Sequence, residues 1–550
     1  MSLKPEAIPT IPELTVQVAK AAFPKGNIYM QMRDTLGSLY TDDQFVDLYP
    51  ADGQPAFSPW RLALVTVMQF AENLSDRQAA EAVRSRLDWK YVLSLELTDA
   101  GFHYSVLSEF RTRLVTGESG ELLLETLLKQ LVDRDLLKKR GQQRTDSVAV
   151  LASVKALNQL EIVGETMRHA LNNIAAVAPD WLKTVAPSEW YERYSDRFEE
   201  YRLPNSKRER ESLIEEIGKD GYQLYSAIHQ VKDWAWLGDL PAVEILRQVW
   251  LQQYWMDDGQ VKRRGPKEMP PGGEWIRSPY DPEARYGRKR DWSWVGYKLH
   301  ITEVSDPDQA HFITQVETAP AIEQDHLALA GIQQKLAHKD LLPEQHLVDA
   351  GYMSAKRIID SRDHYQIDLV GPIHNDPSWQ ARDPNAYDAS LFDMDWAKQV
   401  AICPQGQSSR DWHVTKDAVG ESVLQIIFAK ETCSCCPQRH LCTKAKKRGR
   451  SMTLRYPPER HDMLQIARQH QQTDEFKAIY AKRCGVEGTF SQMIRNTGLR
   501  QTRYIGMAKT HLQHIACATA TNILRLVNWL NEVPFAETRT SRFAALAPAS

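Results

Sequence analysis

YAKRCGVEGTFSQMIRNTGLRQTRYIGMAKTHLQHIACATATN, residues 480–522, is the stretch from which the rest of the chain is read. Between residues 439 and 509 there are 16 Lys and Arg against 5 Asp and Glu, in a chain whose formal net charge is only −3. So local an excess of positive charge is the footprint of a polyanion-binding surface. One carboxylate, Glu487, stands inside it among Arg483, Arg495, Arg500 and Arg503. A lone acid among bases is an ion-pair partner unless carboxylates from elsewhere in the chain come to meet it.

Two such carboxylates are legible upstream. TDSVAVLAS is rich in small and β-branched residues and reads as a strand with Asp146 near its start; EQHLVDAGY reads as a strand ending on Asp349. Taken alone, Asp349 before Gly351 is also a turn former, and Asp146 a strand-end residue. With Glu487 on a helix, the three would offer hard oxygen ligands at one edge of a sheet. Mg²⁺ favours such ligands, and a pair of ions about 3.5–4 Å apart can activate a water or a 3′ hydroxyl in phosphodiester transfer.

Outward from these residues the chain divides into segments. Residues 1–36 show no sustained period and read as a loose lead-in. Residues 37–136 read as an all-helical domain: Ser58 and Pro59 open one helix, Asn73 breaks it, and Ser75 with Gln78 opens the next. Such a helix pair can enter a DNA major groove, with Arg77, Arg84 and Arg86 on or beside its second member, and is equally an ordinary bundle. Residues 137–530 are expected to form an α/β domain. VGYKLHITEV, HFITQVETAPA and YQIDLVGPI add strands and HLALAGIQQKLAHK a helix, giving a mixed sheet flanked by helices. Two modules interrupt it, a Trp-rich helical insertion at about 155–260 and a Cys-rich insert at about 395–450. A long helix from about Asp474 leads into the opening stretch, and residues 531–550 read as a disordered tail.

Cys403, Cys433, Cys436 and Cys442 could close a tetrahedral zinc site in the Cys-rich insert; a plain structural knuckle is the other reading. No apolar run approaches the ~20 residues of a membrane span, and MSLKPEAIPTIPELT lacks a signal-peptide core, so a cytoplasmic, nucleoid-associated protein is expected. P-loop, Rossmann, HExxH and GxSxG motifs are absent from the sequence, so ATP use is not indicated.

HLVDAGY, GYKLHIT with the TAP segment, and Tyr480, Arg483 and Glu487 resemble the DDE transposases of bacterial insertion sequences, most nearly the group numbered eleven eighty-two. The resemblance runs from about residue 37, where LYTDDQFVDLYPADGQPAFSPWRLALV is similar to that family's N-terminal domain, to about 530. It implies a ribonuclease-H-like core, Mg²⁺ (or Mn²⁺) as cofactor, and Asp146, Asp349 and Glu487 as catalytic metal ligands. Tyr480 and Arg483 fall on the family's tyrosine and arginine. Its lysine seven residues after the glutamate is here Ile494, which makes the adjacent Arg495 the candidate for that cation. The implied reaction is cleavage at terminal inverted repeats followed by strand transfer on double-stranded DNA, by a homodimer holding two ends. Arg483, Arg495, Arg500, Arg503 and Lys509 are then expected on the phosphates. Two other classes remain open: a DNA-binding regulator whose core is no longer used, and a metal-dependent nuclease in defence or repair.

Overall fold

The computed structural model describes residues 1–418, 420–535 and 546. Six strands form the central mixed sheet: β1 (Gln142–Leu151), β2 (Arg285–Lys289), β3 (Trp292–Val304), β4 (Ile313–Pro320), β5 (Gln345–Val348) and β6 (Asp368–Val370). The order is β2-β3-β1-β5-β6, with β4 also paired to β3. β3 runs antiparallel to β1, β2 and β4, whereas β5 lies parallel to both β1 and β6. A sheet of this mixed kind, clad in helices, is consistent with a ribonuclease-H-like core.

Alternation explains the sheet's burial. Leu299, Ile301 and Val316 meet the same core, and β3 is buried at nearly every position because helices cover it. The Met507–Leu530 helix supplies much of that cover; at ~1.5 Å per residue its 24 residues span roughly 36 Å. Its Asn522 treats β4 as a neighbouring strand would. The side-chain amide donates to the carbonyl of Ile313 and accepts from its N–H, both at 2.8 Å, closing backbone groups at a sheet edge.

The expected helix start at Ser58-Pro59, the break at Asn73 (φ 55°) and the Ser75/Gln78 capping box are all present. The supposed lead-in is not loose. Glu13–Ala22 and Ile28–Leu36 are helices, and Ala19, Tyr29, Met30, Met32 and Leu36 are buried. Neither helix reaches a dozen residues, too short for a period to stand out against its flanks.

The N-terminal helices do not close a core of their own. Trp60, Phe70, Leu107 and Leu124 share one hydrophobic cluster with Leu299 and Ile301 of the sheet and with Leu512, Ile515 and Leu526 of the last helix. The Trp-rich insertion does have a separate core, built on Gln159–Val177, Lys207–Gln230 and Pro241–Gln253 and including Trp181, Trp190 and Trp250. It extends further than expected, to Ile276. Residues around the cysteines form a third core, with Leu424, Ile426 and Met452 on the three-stranded sheet of Asp411–Lys416, Ser422–Ile427 and Ser451–Arg455. The long helix expected from Asp474 is broken instead: Asp474–Ala481, a 3₁₀ turn at Lys482–Cys484, then Gly485–Thr497. Of the expected tail, residues 536–545 and 547–550 lie outside the described residues.

Candidate active site

Register puts the first two acids side by side. β1 and β5 are parallel neighbours in which Thr145 pairs with Val348, so the next residue along each strand is Asp146 and Asp349. Strands in a sheet lie about 4.8 Å apart, and residues in step on neighbouring strands face the same side. β5 ends there, and the freed Asp349 side chain caps the following turn through Ala350 N–H at 2.7 Å. Asp146 Oδ1 likewise accepts from Ser147 N–H at 2.8 Å.

Arg483 lies across the pair. Its Nη2 donates to Asp146 Oδ2 at 2.5 Å and stands 3.9 Å from Asp349 Oδ2. Burial nevertheless holds the Asp146 carboxyl above its ordinary pKa, because a desolvated carboxylate is penalised. Arg483 and the Ser147 N–H oppose that shift, the neighbouring Asp349 adds to it, and the ammonium of Lys289 also opposes it. The two acids differ in access: the Asp349 side chain is 46 % exposed and that of Asp146 13 %. Tyr480 packs against Leu347 and Val370 of the sheet and stacks on Phe476, with ring centroids 5.6 Å apart. Its hydroxyl is pushed up to about 12, first by burial, with Arg483 opposing and Asp349 and Asp146 adding.

Glu487 lies in the first turn of the Gly485–Thr497 helix and is exposed. Among the described residues no three His, Cys, Asp or Glu side chains are grouped closely enough to hold a metal ion, so the third acid is not gathered with the other two. What the site offers a hard cation is a carboxylate pair, one member accessible, with a guanidinium already drawn to it. Mg²⁺ is commonly held by one or two carboxylates and waters, and that donor set fits.

The helix carrying Glu487 is located by a residue not singled out from the sequence. Arg144, two before Asp146 on β1, donates through Nη1 to the Lys482 carbonyl at 2.5 Å and through Nε to Glu303 at 2.7 Å. Gly485 fits only because it has no side chain: a Cβ there would fall 2.3 Å from the Arg144 guanidinium. Glu303, wholly buried, is also paired with Arg525 at 2.8 Å and accepts from Thr489 at 2.7 Å. Below the aspartates, His300 on β3 meets the buried Tyr352 hydroxyl at 2.6 Å. The signal for Arg144 was present but unweighted, a charge at an inward position of a strand. His300 and Tyr352 lie inside the GYKLHIT and HLVDAGY strings, but nothing in the sequence marked that their side chains meet.

The expected phosphate-binding cations separate into two groups. Arg495, Arg500 and Lys509 are exposed, and among the described residues none is ion-paired. Arg503 is engaged elsewhere: it donates to the Leu74 carbonyl at 2.5 Å and to Asn73 Oδ1, and its guanidinium lies 4.8 Å from the Phe70 ring. It joins the N-terminal helices to the core. In those helices Arg86 is held by Glu72 and Asp88 and Arg84 by Glu81, while Arg77 packs on the ring of Tyr104.

Cys403, Cys433, Cys436 and Cys442 line one small cavity of about 30 Å³ with Phe392, Phe428 and Arg450. Arg450 N–H points at Cys433 Sγ, 3.4 Å away, and the Gly406 N–H closes a turn onto the Cys403 carbonyl at 2.7 Å. Burial pushes the Cys442 thiol up to about 11. Cys435 is exposed.

No helix among the described residues is long and apolar enough to cross a membrane. Neither a curated protein nor a solved structure matches the chain. Two family models do: residues 402–527 match the transposase DDE domain, a span that contains Tyr480, Arg483 and Glu487, and residues 17–113 match the transposase domain DUF772. Matched at both ends, with the aspartate pair between, the chain is supported as a DDE transposase, an enzyme type that cleaves and transfers DNA strands.

Proposed function

We propose that this chain is a transposase of an insertion sequence of the group numbered eleven eighty-two, binding the element's terminal inverted repeats and exchanging phosphodiester bonds at Asp146 and Asp349. The observation that carries the reading is the Thr145–Val348 register, which sets two carboxylates next to each other at the end of β5. Divalent metal, Mg²⁺ or Mn²⁺, would be held by Asp146 and Asp349, and would supply Lewis-acid activation of the attacking oxygen and relief of charge on the leaving one. Arg483 has to give up part of its hold on Asp146 for this, and is then close enough to neutralise a phosphate oxygen at the same point. Glu487 joins if its exposed side chain is drawn toward the two aspartates when the metal binds. Arg495, Arg500 and Lys509 hold the flanking backbone, and each phosphate contact lowers the salt slope of log affinity by roughly 0.9 on duplex DNA. Two element ends call for two such chains acting at the nucleoid.

The test is cutting of duplex DNA carrying the element's ends in the presence of Mg²⁺. Asp349→Ala is expected to abolish cutting, on the order of a thousandfold or more, while end binding persists. Undiminished cutting by that variant would remove the proposed site. We further propose that Cys403, Cys433, Cys436 and Cys442, which share one cavity but as they stand are not grouped closely enough to hold a metal ion, draw together on a structural zinc ion.

A further inference from the structure

β2 and β3 form a hairpin joined by the two-residue turn Arg290–Asp291, with Lys289 paired to Trp292 and Gly287 to Trp294. Four of the five residues from Arg288 to Trp292 are basic or aromatic, all five are exposed, and among the described residues none of Arg288, Lys289 and Arg290 is ion-paired. Asp291 is the lone acid of the tip. The two indoles lie on one face of β3, as alternate residues of a strand must, and are stacked: centroids 5.0 Å apart, planes 14° from parallel. Trp294 is the fixed member. It is 6 % exposed, donates Nε1–H to the Tyr297 carbonyl at 3.1 Å, and covers Gly287, where a Cβ would come within 2.5 Å of the ring. Trp292, 44 % exposed, presents the outer face.

We infer that this hairpin grips an unpaired nucleotide, with a base stacked on Trp292 and the adjoining phosphates held by Arg288, Lys289 and Arg290. The inference rests on the transposase reading and names a feature of the substrate it would take. An indole backed by a second indole offers a large rigid π-face, which a base can meet only once it has left its pair or sits in a single strand. Stacking of this kind tolerates any base, and cations beside it follow the backbone.

The measurement is binding by the full-length chain, without metal, of a labelled oligothymidine of about 12 nucleotides and of a fully paired duplex. Trp292→Ala is expected to weaken oligothymidine binding by about five- to a hundredfold, with Trp292→Phe losing far less and duplex binding unchanged in both. Arg288→Ala combined with Arg290→Ala should flatten the salt dependence by roughly 0.7 for each lost contact on the single strand. Trp292→Ala and wild type binding every DNA alike, while Asp349→Ala loses cutting, would overturn the hairpin's role and leave the transposase reading standing. A chain that binds no DNA at all would overturn both.

Discussion

Asp146 is a residue whose charge the fold opposes. Its carboxyl is held above its ordinary pKa by burial, so between the unfolded and folded values the native chain binds more protons than the unfolded one. Stability from this group is therefore lost as pH rises through that window, and at neutral pH the ionised carboxylate is a net liability. Asp146→Asn is accordingly expected to raise the thermal midpoint at pH 7 while abolishing cutting, the gain shrinking as pH falls toward the ordinary carboxylate range. Differential scanning calorimetry across pH checks this, and a lower midpoint at pH 7 would contradict it. The strings around Asp146 and Asp349 are short and recognisable, although Asp146, expected near the start of its strand, lies in the middle of β1 and only Asp349 stands at a strand end. It could not carry Arg483 as their bridge, since that contact joins residues 337 positions apart. Nor could it reveal that Arg503, one more base in a basic run, is used on Asn73 and Leu74.

At the scale of elements, the junction of the 3₁₀ turn Lys482–Cys484 with the Gly485–Thr497 helix decides where Glu487 stands. Gly485→Ala would drive a methyl into the Arg144 guanidinium, and Arg144 cannot withdraw freely while Glu303 holds it. The expected result is a loss of about 1–3 kcal/mol by denaturant titration together with a fall in cutting. An unchanged variant would mean that Arg144 does not locate the helix. The Cys-rich lobe is a second element-scale case. Elemental analysis of protein purified without chelator should find close to one zinc per chain, reduced by Cys436→Ser; a fully folded chain free of zinc would refute the assignment. Periodicity found the helices at Ser58 and Ser75 because their caps are local chemistry. It missed the break at residues 482–484, where helical propensity continues and the interruption is imposed by Arg144 on the Lys482 carbonyl.

For the whole molecule, the division read from the sequence at residue 136 is a boundary of composition and not of packing. The N-terminal helices bury their apolar faces against the sheet and against Leu512, Ile515, Leu526 and Val527. Deleting residues 1–130 would strip that cover from the last helix and from β3 and β4. The truncated chain is expected to be insoluble or to bind a hydrophobic dye strongly, and a soluble, cooperatively melting fragment would show the boundary to be real. By contrast the insertion and the Cys-rich lobe carry cores of their own. Their composition, Trp in one and Cys in the other, made them legible from the start, because a self-contained core concentrates its residues in a continuous stretch.

The Met507–Leu530 helix has one more consequence, for biosynthesis. It packs on the first helices and on the sheet together, and Asn522 completes the edge of β4. The N-terminal helices and the sheet they share a core with therefore leave the ribosome with a face still open, and settle only once residues 507–530 have emerged. A chain stopped short of residue 507 would leave that shared core unfinished.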